Sequence, residues 1–456
     1  MSKRLIIILA LAFVVGIAFT AYAEVQNVKV SGDITVYGVG RNLTLKDTKS
    51  GGNSVDQSLI GIARVRVDAD LTDNVSATVR LLNERYWGNE IDNSGSNVAD
   101  GTDAQTNTEI ALDLAYVTMK EFLYSPLTLT VGRQELHFGN DMIVGDPDTN
   151  NTASTASPLG SATAIRRDPD LSARKAFDAI RATLNYDPLV VDVIGAKVRE
   201  HAINLHDDTN LYGVNANYAL TKNTTIEGYW FEKKTGQKTS GVSNKNDRVD
   251  TLGARLATSP IKDLTFQLEA AYQLGRRAMT VGGYQERKGV AAETFLTYDL
   301  KKMKYEPSIT AIYAYFSGNR GGADEYTAWD PMYENQKLGD IANLLFPQSN
   351  AHVAGVSLSA KPIDDIVLKG EYYAYWWDKV YGEGQVIDNA YDTASNLIMR
   401  HKKFAGTELD LTATYDYTED VQFGLMYGLF LPGNAFNKDS NHNAAAEVIG
   451  SMKVSF

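Results

Sequence analysis

Residues 59–71, LIGIARVRVDADL, place Leu59, Gly61, Ala63, Val65, Val67, Ala69 and Leu71 on one face of an extended chain, and Arg64, Arg66, Asp68 and Asp70 on the other. A strand alternates its side chains between faces, so one face here is apolar and the other charged. The pattern returns in LTFQLEAAYQL (264–274) and in FAGTELDLTATYDY (404–417). Soluble sheets use strands of about five or six residues, whereas a tilted strand of about nine to eleven crosses a bilayer. In lipid every backbone polar group needs a partner, and only a closed barrel gives strands that without an open edge.

Segments of this kind fall at residues 28–45, 58–71, 75–86, 109–122, 127–138, 173–186, 189–199, 210–220, 225–233, 249–258, 264–275, 289–300, 306–317, 352–360, 366–378, 404–417, 421–431 and 446–456. That makes 18, an even number, as in bacterial barrels. Every even-numbered segment is followed by a short link, such as TDN at 72 or TED at 418. Odd-numbered segments lead into longer ones, including 139–172, 318–351 and 379–403. The expectation is one all-β unit: a closed antiparallel transmembrane β-barrel with short periplasmic turns, long extracellular loops and both ends in the periplasm. Tyr116, Tyr186, Tyr218, Tyr272, Tyr298, Tyr415 and Tyr427 have outward parity near strand ends, where interfacial aromatic girdles sit.

The N-terminus supports export. Lys3 and Arg4 precede an apolar run from Leu5 to Phe19 and then Ala21-Tyr22-Ala23, the pattern of a secretory signal peptide cut after Ala23. Residues 1–23 are therefore read as the signal and 24–456 as the barrel, placed in the bacterial outer membrane. Loss of Lys3 and Arg4 takes the formal net charge from -12 to -14, which excludes nucleic acid as a partner. With no cysteine, neither a disulfide framework nor a thiolate metal site is available. The terminal Phe456, on the apolar parity of VIGSMKVSF, is read as the signal for the barrel-assembly machinery, and outer-membrane lipid is the expected surrounding partner.

Three segments resemble the alginate-export family of outer-membrane barrels: VGRQELHFGNDMIVGD (131–146), ARKAFDAIRATL (173–184), and AGTELDLTATYDY leading to YGLFLPGNAF (405–436). In the first, Asn140 stands between the aromatic-glycine step and Asp141. The resemblance implies an 18-stranded channel through which a hydrophilic polymer leaves the periplasm, past an arginine-rich constriction. Export of a polysaccharide or oligosaccharide is thus the first expectation, and a diffusion porin for small polar or charged solutes is the alternative. A structural or adhesive barrel, its lumen filled by loops, is the third.

Parity assigns Arg64, Arg66, Arg80, Arg133, Lys175, Arg181, Arg255 and Lys369 to the lumen. The acids so assigned are Asp68, Asp70, Glu84, Glu109, Asp113, Glu269, Glu293, Asp299, Glu371, Glu408, Asp410 and Asp416. Acids outnumber bases, which argues against a pore focused on a polyuronate. Strands two to six carry most of the bases and strands ten to sixteen most of the acids, so opposite walls carry opposite signs. Selectivity is assigned to Arg64, Arg66, Arg80, Arg133 and Arg181 against Glu269, Glu293, Glu371, Glu408 and Asp410. Arg133 reaches the lumen only if Gly132 carries a bulge, since its parity with Leu129 and Val131 points it at lipid, and such a bulge is expected to steer the loop 139–172 back into the lumen. The other expectation for Arg133 and Gln134 is that they tie the following loop to the wall by hydrogen bonds.

No catalytic or cofactor motif is present. The six histidines lack zinc-site spacing, and no nucleophile elbow or phosphate loop occurs. GDPDTNN (145–151) and HDDTN (206–210) hold oxygen ligands of the kind calcium prefers, but they are read as solvated loops, and no metal is assigned.

Overall fold

The computed structural model describes residues 27–45, 55–88, 110–149, 168–200, 208–237, 245–279, 283–387, 397–437 and 442–456. The expected signal peptide and Glu109 lie outside these residues.

Eighteen strands form the wall: β1 (Asn27–Asn42), β2 (Asp56–Thr72), β3 (Val75–Tyr86), β4 (Ala111–Met119), β5 (Leu127–Glu135), β6 (Ala176–Asn185), β7 (Leu189–Arg199), β8 (Thr209–Thr221) and β9 (Thr224–Gln237). They continue with β10 (Lys245–Ile261), β11 (Leu264–Ala278), β12 (Val290–Asp299), β13 (Ser308–Phe316), β14 (Ala351–Ile363), β15 (Ile366–Trp377), β16 (Phe404–Asp416), β17 (Val421–Pro432) and β18 (Ala445–Ser455). Each pairs antiparallel with its sequence neighbour. β1 closes the cylinder on β18, from Asp33 opposite Ser455 to Asn42 opposite Ala446. Closure leaves no edge, which is what makes the wall compatible with hydrocarbon.

The outer surface is apolar. Val65, Ile180, Leu252, Leu268 and Leu425 stand exposed on it, as do Tyr186, Tyr218, Tyr272, Tyr298, Tyr415 and Tyr427 of the expected girdles. Tyr116 is a correction. β4 bulges where Arg80 pairs with Leu114 but Leu81 pairs with Leu112, so Tyr116 comes opposite Thr78 on the lumen face. A bulge adds one residue to a strand and reverses the parity beyond it.

The lumen holds a second apolar body. Leu136, Phe138, Met142, Ile143 and Val144 after β5 are buried there with Trp329, Met332, Tyr333 and Leu338 after β13. The chain between β13 and β14 also carries the short helix α1 (Asp340–Leu345), with Ile341, Leu344 and Leu345 fully buried. Phe346 beyond it meets Tyr375, Trp377 and Phe430 edge-on at ring distances of 5.0–6.0 Å.

Candidate pore lumen and its constriction

Two long loops turn inward and pair with each other. Val144 bridges Tyr333; Gly145 N–H donates to the Tyr333 carbonyl (2.8 Å), Tyr333 N–H to Ile143 (3.0 Å) and Asn335 N–H to Asp141 (2.9 Å). Their free backbone donors are taken by acids of the wall. Gly139 N–H donates to Glu227 (3.0 Å), Asn140 N–H to Glu269 (2.8 Å) and the Asn140 side-chain amide to Glu293 (3.0 Å). Arg255 donates to the Asn140 oxygen at 2.7 Å, and Tyr229 donates to Glu269 at 2.6 Å. Gly139 suits this tip: its φ is +63°, and a Cβ there would lie 2.6 Å from the Glu269 carboxylate and force it to shift from its loop donors.

The same device holds α1. Ile341 and Ala342 N–H donate to the two oxygens of Glu408 (2.6 and 2.8 Å), and Tyr375 donates to it at 3.1 Å. Asp340 N–H reaches Asp410 at 3.4 Å. A carboxylate at the helix start satisfies donors that have no partner within the helix. At the next seam, Glu84 accepts from the Ser172 hydroxyl and the Ala173 amide. Arg41, wholly buried, reaches Asp168 (2.9 Å), Asp170 (2.7 Å) and Glu447 (2.7 Å).

Loop charges are paired in turn. Burial alone would raise the Asp330 carboxyl, but Lys233 at 2.8 Å and Arg287 at 3.5 Å hold it well below the usual carboxylate range. Asp148 goes the other way. Burial and the neighbouring Asp146 push it up to about 8, against Lys175, and neither of its oxygens has a hydrogen-bond partner among the described residues.

Glu269, Glu293, Glu408 and Asp410 of the assigned selectivity set are therefore buried under loop backbone, at most 2% exposed. Glu371 faces the lumen bonded to Lys369 (2.7 Å) and Tyr373 (2.9 Å). On the other wall Arg64 pairs with Asp33, Arg66 with Asp68, Arg80 with Asp113 and Glu135, and Arg181 with Asp192. The Arg66 and Arg181 side chains remain 37% and 30% accessible, so this wall keeps water-exposed cations.

Arg133 is not among them. The register runs unbroken from Ala115 opposite Arg133 and from Arg133 opposite Asp178, without a bulge at Gly132. Arg133 thus stands on the outer face, 3.2 Å from Asp178. Gly132 instead takes φ +125°, where a Cβ would strike the Ala115 carbonyl at 2.1 Å. The Gln134 side-chain amide donates to the carbonyls of Gly132 (3.2 Å) and Ala179 (3.1 Å), fastening β5 to β6.

The sequence reading omits Arg41, Glu227 and Glu447. Parity places all three: Arg41 follows Tyr37 and Val39, Glu227 lies between outward Ile226 and Gly228, and Glu447 precedes outward Val448.

The Alginate export family model matches residues 45–161 and 165–449. No curated protein matches the chain in sequence. Among solved structures, Pseudomonas aeruginosa OccK3 (OpdO) aligns at 11% identity and TM-score 0.57, over 95% of this chain and 97% of its own. P. aeruginosa OprD aligns at 10% identity and TM-score 0.54 over 96% of each chain. P. aeruginosa OpdK, crystallised with vanillate, aligns at 9% identity and TM-score 0.55, over 95% of this chain and all of its own. At these identities the likeness is one of fold. The family match covers most of the length, and the chain belongs to the alginate-export family of outer-membrane β-barrel channels.

Proposed function

We propose that this channel passively conducts small hydrophilic solutes carrying carboxylate or sugar hydroxyl groups, along the wall formed by β2 to β7. One observation carries the reading: a packed loop body is fastened to the acidic wall, while part-exposed Arg64 and Arg66 line β2 and part-exposed Arg181 stands beside the body, its guanidinium 5.4 Å over the Phe138 ring. Each arginine is oriented by a strand neighbour, as Arg66 is by both oxygens of Asp68 (2.7 and 2.8 Å) and Asp68 in turn by Thr78. Such pairs present fixed donors beside fixed acceptors, which suits an anionic group bearing hydroxyls more than a bare polyanion. OpdK, of similar fold, was crystallised with a small aromatic carboxylate, which is consistent with this solute size.

The second reading, export of a polysaccharide or oligosaccharide, is favoured by the family match itself. Under it the loop body must move aside for the polymer. Planar-bilayer recording separates the two. Conduction of small solutes predicts block by millimolar monomeric or dimeric uronates, and a loss of anion preference in Arg66→Gln and Arg181→Gln of roughly severalfold. Export predicts current block by long oligomers and indifference to monomers. Catalysis has no part in either reading.

A further inference from the structure

Cross-strand register assembles a cationic strip on the outside of the barrel. Lys197 stands opposite Asn210, Asn210 opposite Lys234, Lys234 opposite Arg248, and Arg248 opposite Arg276, across β7 to β11. Residues directly opposite share a face, and neighbouring strands lie on the order of 5 Å apart. Arg133 and Asp178 extend the strip onto β5 and β6. Its outward aspect follows from the positions two residues nearer the periplasm: Tyr212 and Leu274 are exposed on the lipid face.

The acids nearby orient the cations without covering them. Glu232 and Asp250 lie one step below Arg248 at 3.2 and 2.6 Å and are largely buried, while Arg248 is half exposed. Lys197 meets Asp208 at 2.6 Å, and Arg276 lies 4.7 Å over the Tyr284 ring, with Glu286 opposite it. Below the strip the outer face is apolar, with Trp230, Leu252 and Tyr272 in one row. The next row is a trough of small residues, Ala216, Gly228, Ala254, Ala270 and Ala292, and around Gly228 a Cβ would meet nothing. The strip is one-sided: β12 to β18 carry no Lys or Arg in their extracellular halves.

We propose that this strip seats the phosphorylated head of an outer-leaflet glycolipid, whose acyl chains lie along the small-residue trough beneath. Cations just above an apolar band match anionic heads just above acyl chains in depth and in sign. The inference rests on the membrane-embedded reading only for the orientation of the barrel.

The test uses the full chain, purified and delipidated in detergent, with bisphosphorylated lipid A as the probe and bound lipid counted by native mass spectrometry. Wild type retains the lipid, and K234Q/R248Q/R276Q loses at least tenfold in affinity at low ionic strength, from about fivefold per cation. Lipid A stripped of its phosphates binds wild type no better than phosphorylated lipid A binds the triple variant. Equal retention by both proteins overturns the proposal, as does displacement of the lipid by millimolar inorganic phosphate, which would mark a plain anion site. Heat-modifiable migration reports folding of the triple variant, and should it misfold, Arg276→Gln alone gives the same comparison. Conductance is recorded separately: a chain that holds lipid A and conducts nothing sinks the transport reading and leaves this one standing.

Discussion

At the scale of single residues, the lumen depends on where each carboxyl finds its partner. Asp148 finds none among the described residues, and it sits beside Asp146, which accepts from Lys175 at 2.8 Å and from the Asp148 amide. Its folded-state pKa of about 8 exceeds the ordinary 3.8, so the docked loop binds a proton that the undocked loop releases between these values. Docking is then strongest below about pH 4, weakens as pH rises, and levels off above about pH 8. Asp148→Asn should abolish that slope, holding the loop at pH 8 as firmly as wild type does at low pH. Hydrogen exchange at Gly145 and Asp146, corrected for intrinsic rates, reads it directly; a wild-type slope that survives in the variant would remove Asp148 from the account. Gly132 shows the converse, a residue legible as special from its place before Arg133 but for a different reason. The strand needs its φ and its lack of a Cβ, so Arg133 keeps the outward parity that its neighbours dictate.

At the scale of elements, alternation made the strands readable almost to their ends, because the register of a membrane barrel is enforced on both faces at once. β3 and β7 run over the very residues that periodicity marks. Periodicity has little to say about loops: the inward turn of the loop after β5 was expected, but from a bulge at Gly132 that the register does not contain, and the inward fold of 317–350 was not expected. A signal was there: Trp329, Met332, Leu338, Ile341, Leu344, Leu345 and Phe346 are far too apolar for a solvated loop. The acids read as a selectivity wall were placed on the right face, but parity could not show that loop amides would occupy them. Arg41 illustrates the cost of such docking. It serves three carboxylates at once, and removing it strands buried charge, typically ~3–5 kcal/mol. Arg41→Gln should lower the urea midpoint of the folded barrel and open the 168–171 segment to protease. Arg41→Lys should recover only part of the loss, since an ammonium cannot reproduce the forked contact with Asp170. If Arg41→Gln instead left both readouts at wild-type values, that segment would be held by its apolar contacts alone.

For the whole molecule, lipid outside and water inside set two opposite solvation rules, and the loop body adds a third environment, a dry core within the aqueous lumen. Its apolar residues gain from burial, roughly 25 cal/mol per Å². Its backbone donors have to be matched individually, and Glu227, Glu269 and Glu408 do so, while Glu293 takes the Asn140 side-chain amide. The seat of the loop body in the lumen therefore depends on a few charge-assisted hydrogen bonds, each worth about 1.5–3 kcal/mol. Deleting one leaves its loop amides unpaired but the apolar packing intact, so a single change should loosen the body and a double change should release it. Glu269→Ala/Glu408→Ala, which frees the Asn140 tip and the start of α1 together, should raise mean single-channel conductance and its open-state noise, with the single variants in between. If small solutes are the natural cargo, longer oligosaccharides should then enter a pore that excludes them in wild type, the docked body and not the wall being the obstacle. Unchanged conductance in a double variant whose loops have become sensitive to protease would show that the body does not limit flow, and that solutes are selected entirely along Arg64, Arg66, Arg80 and Arg181.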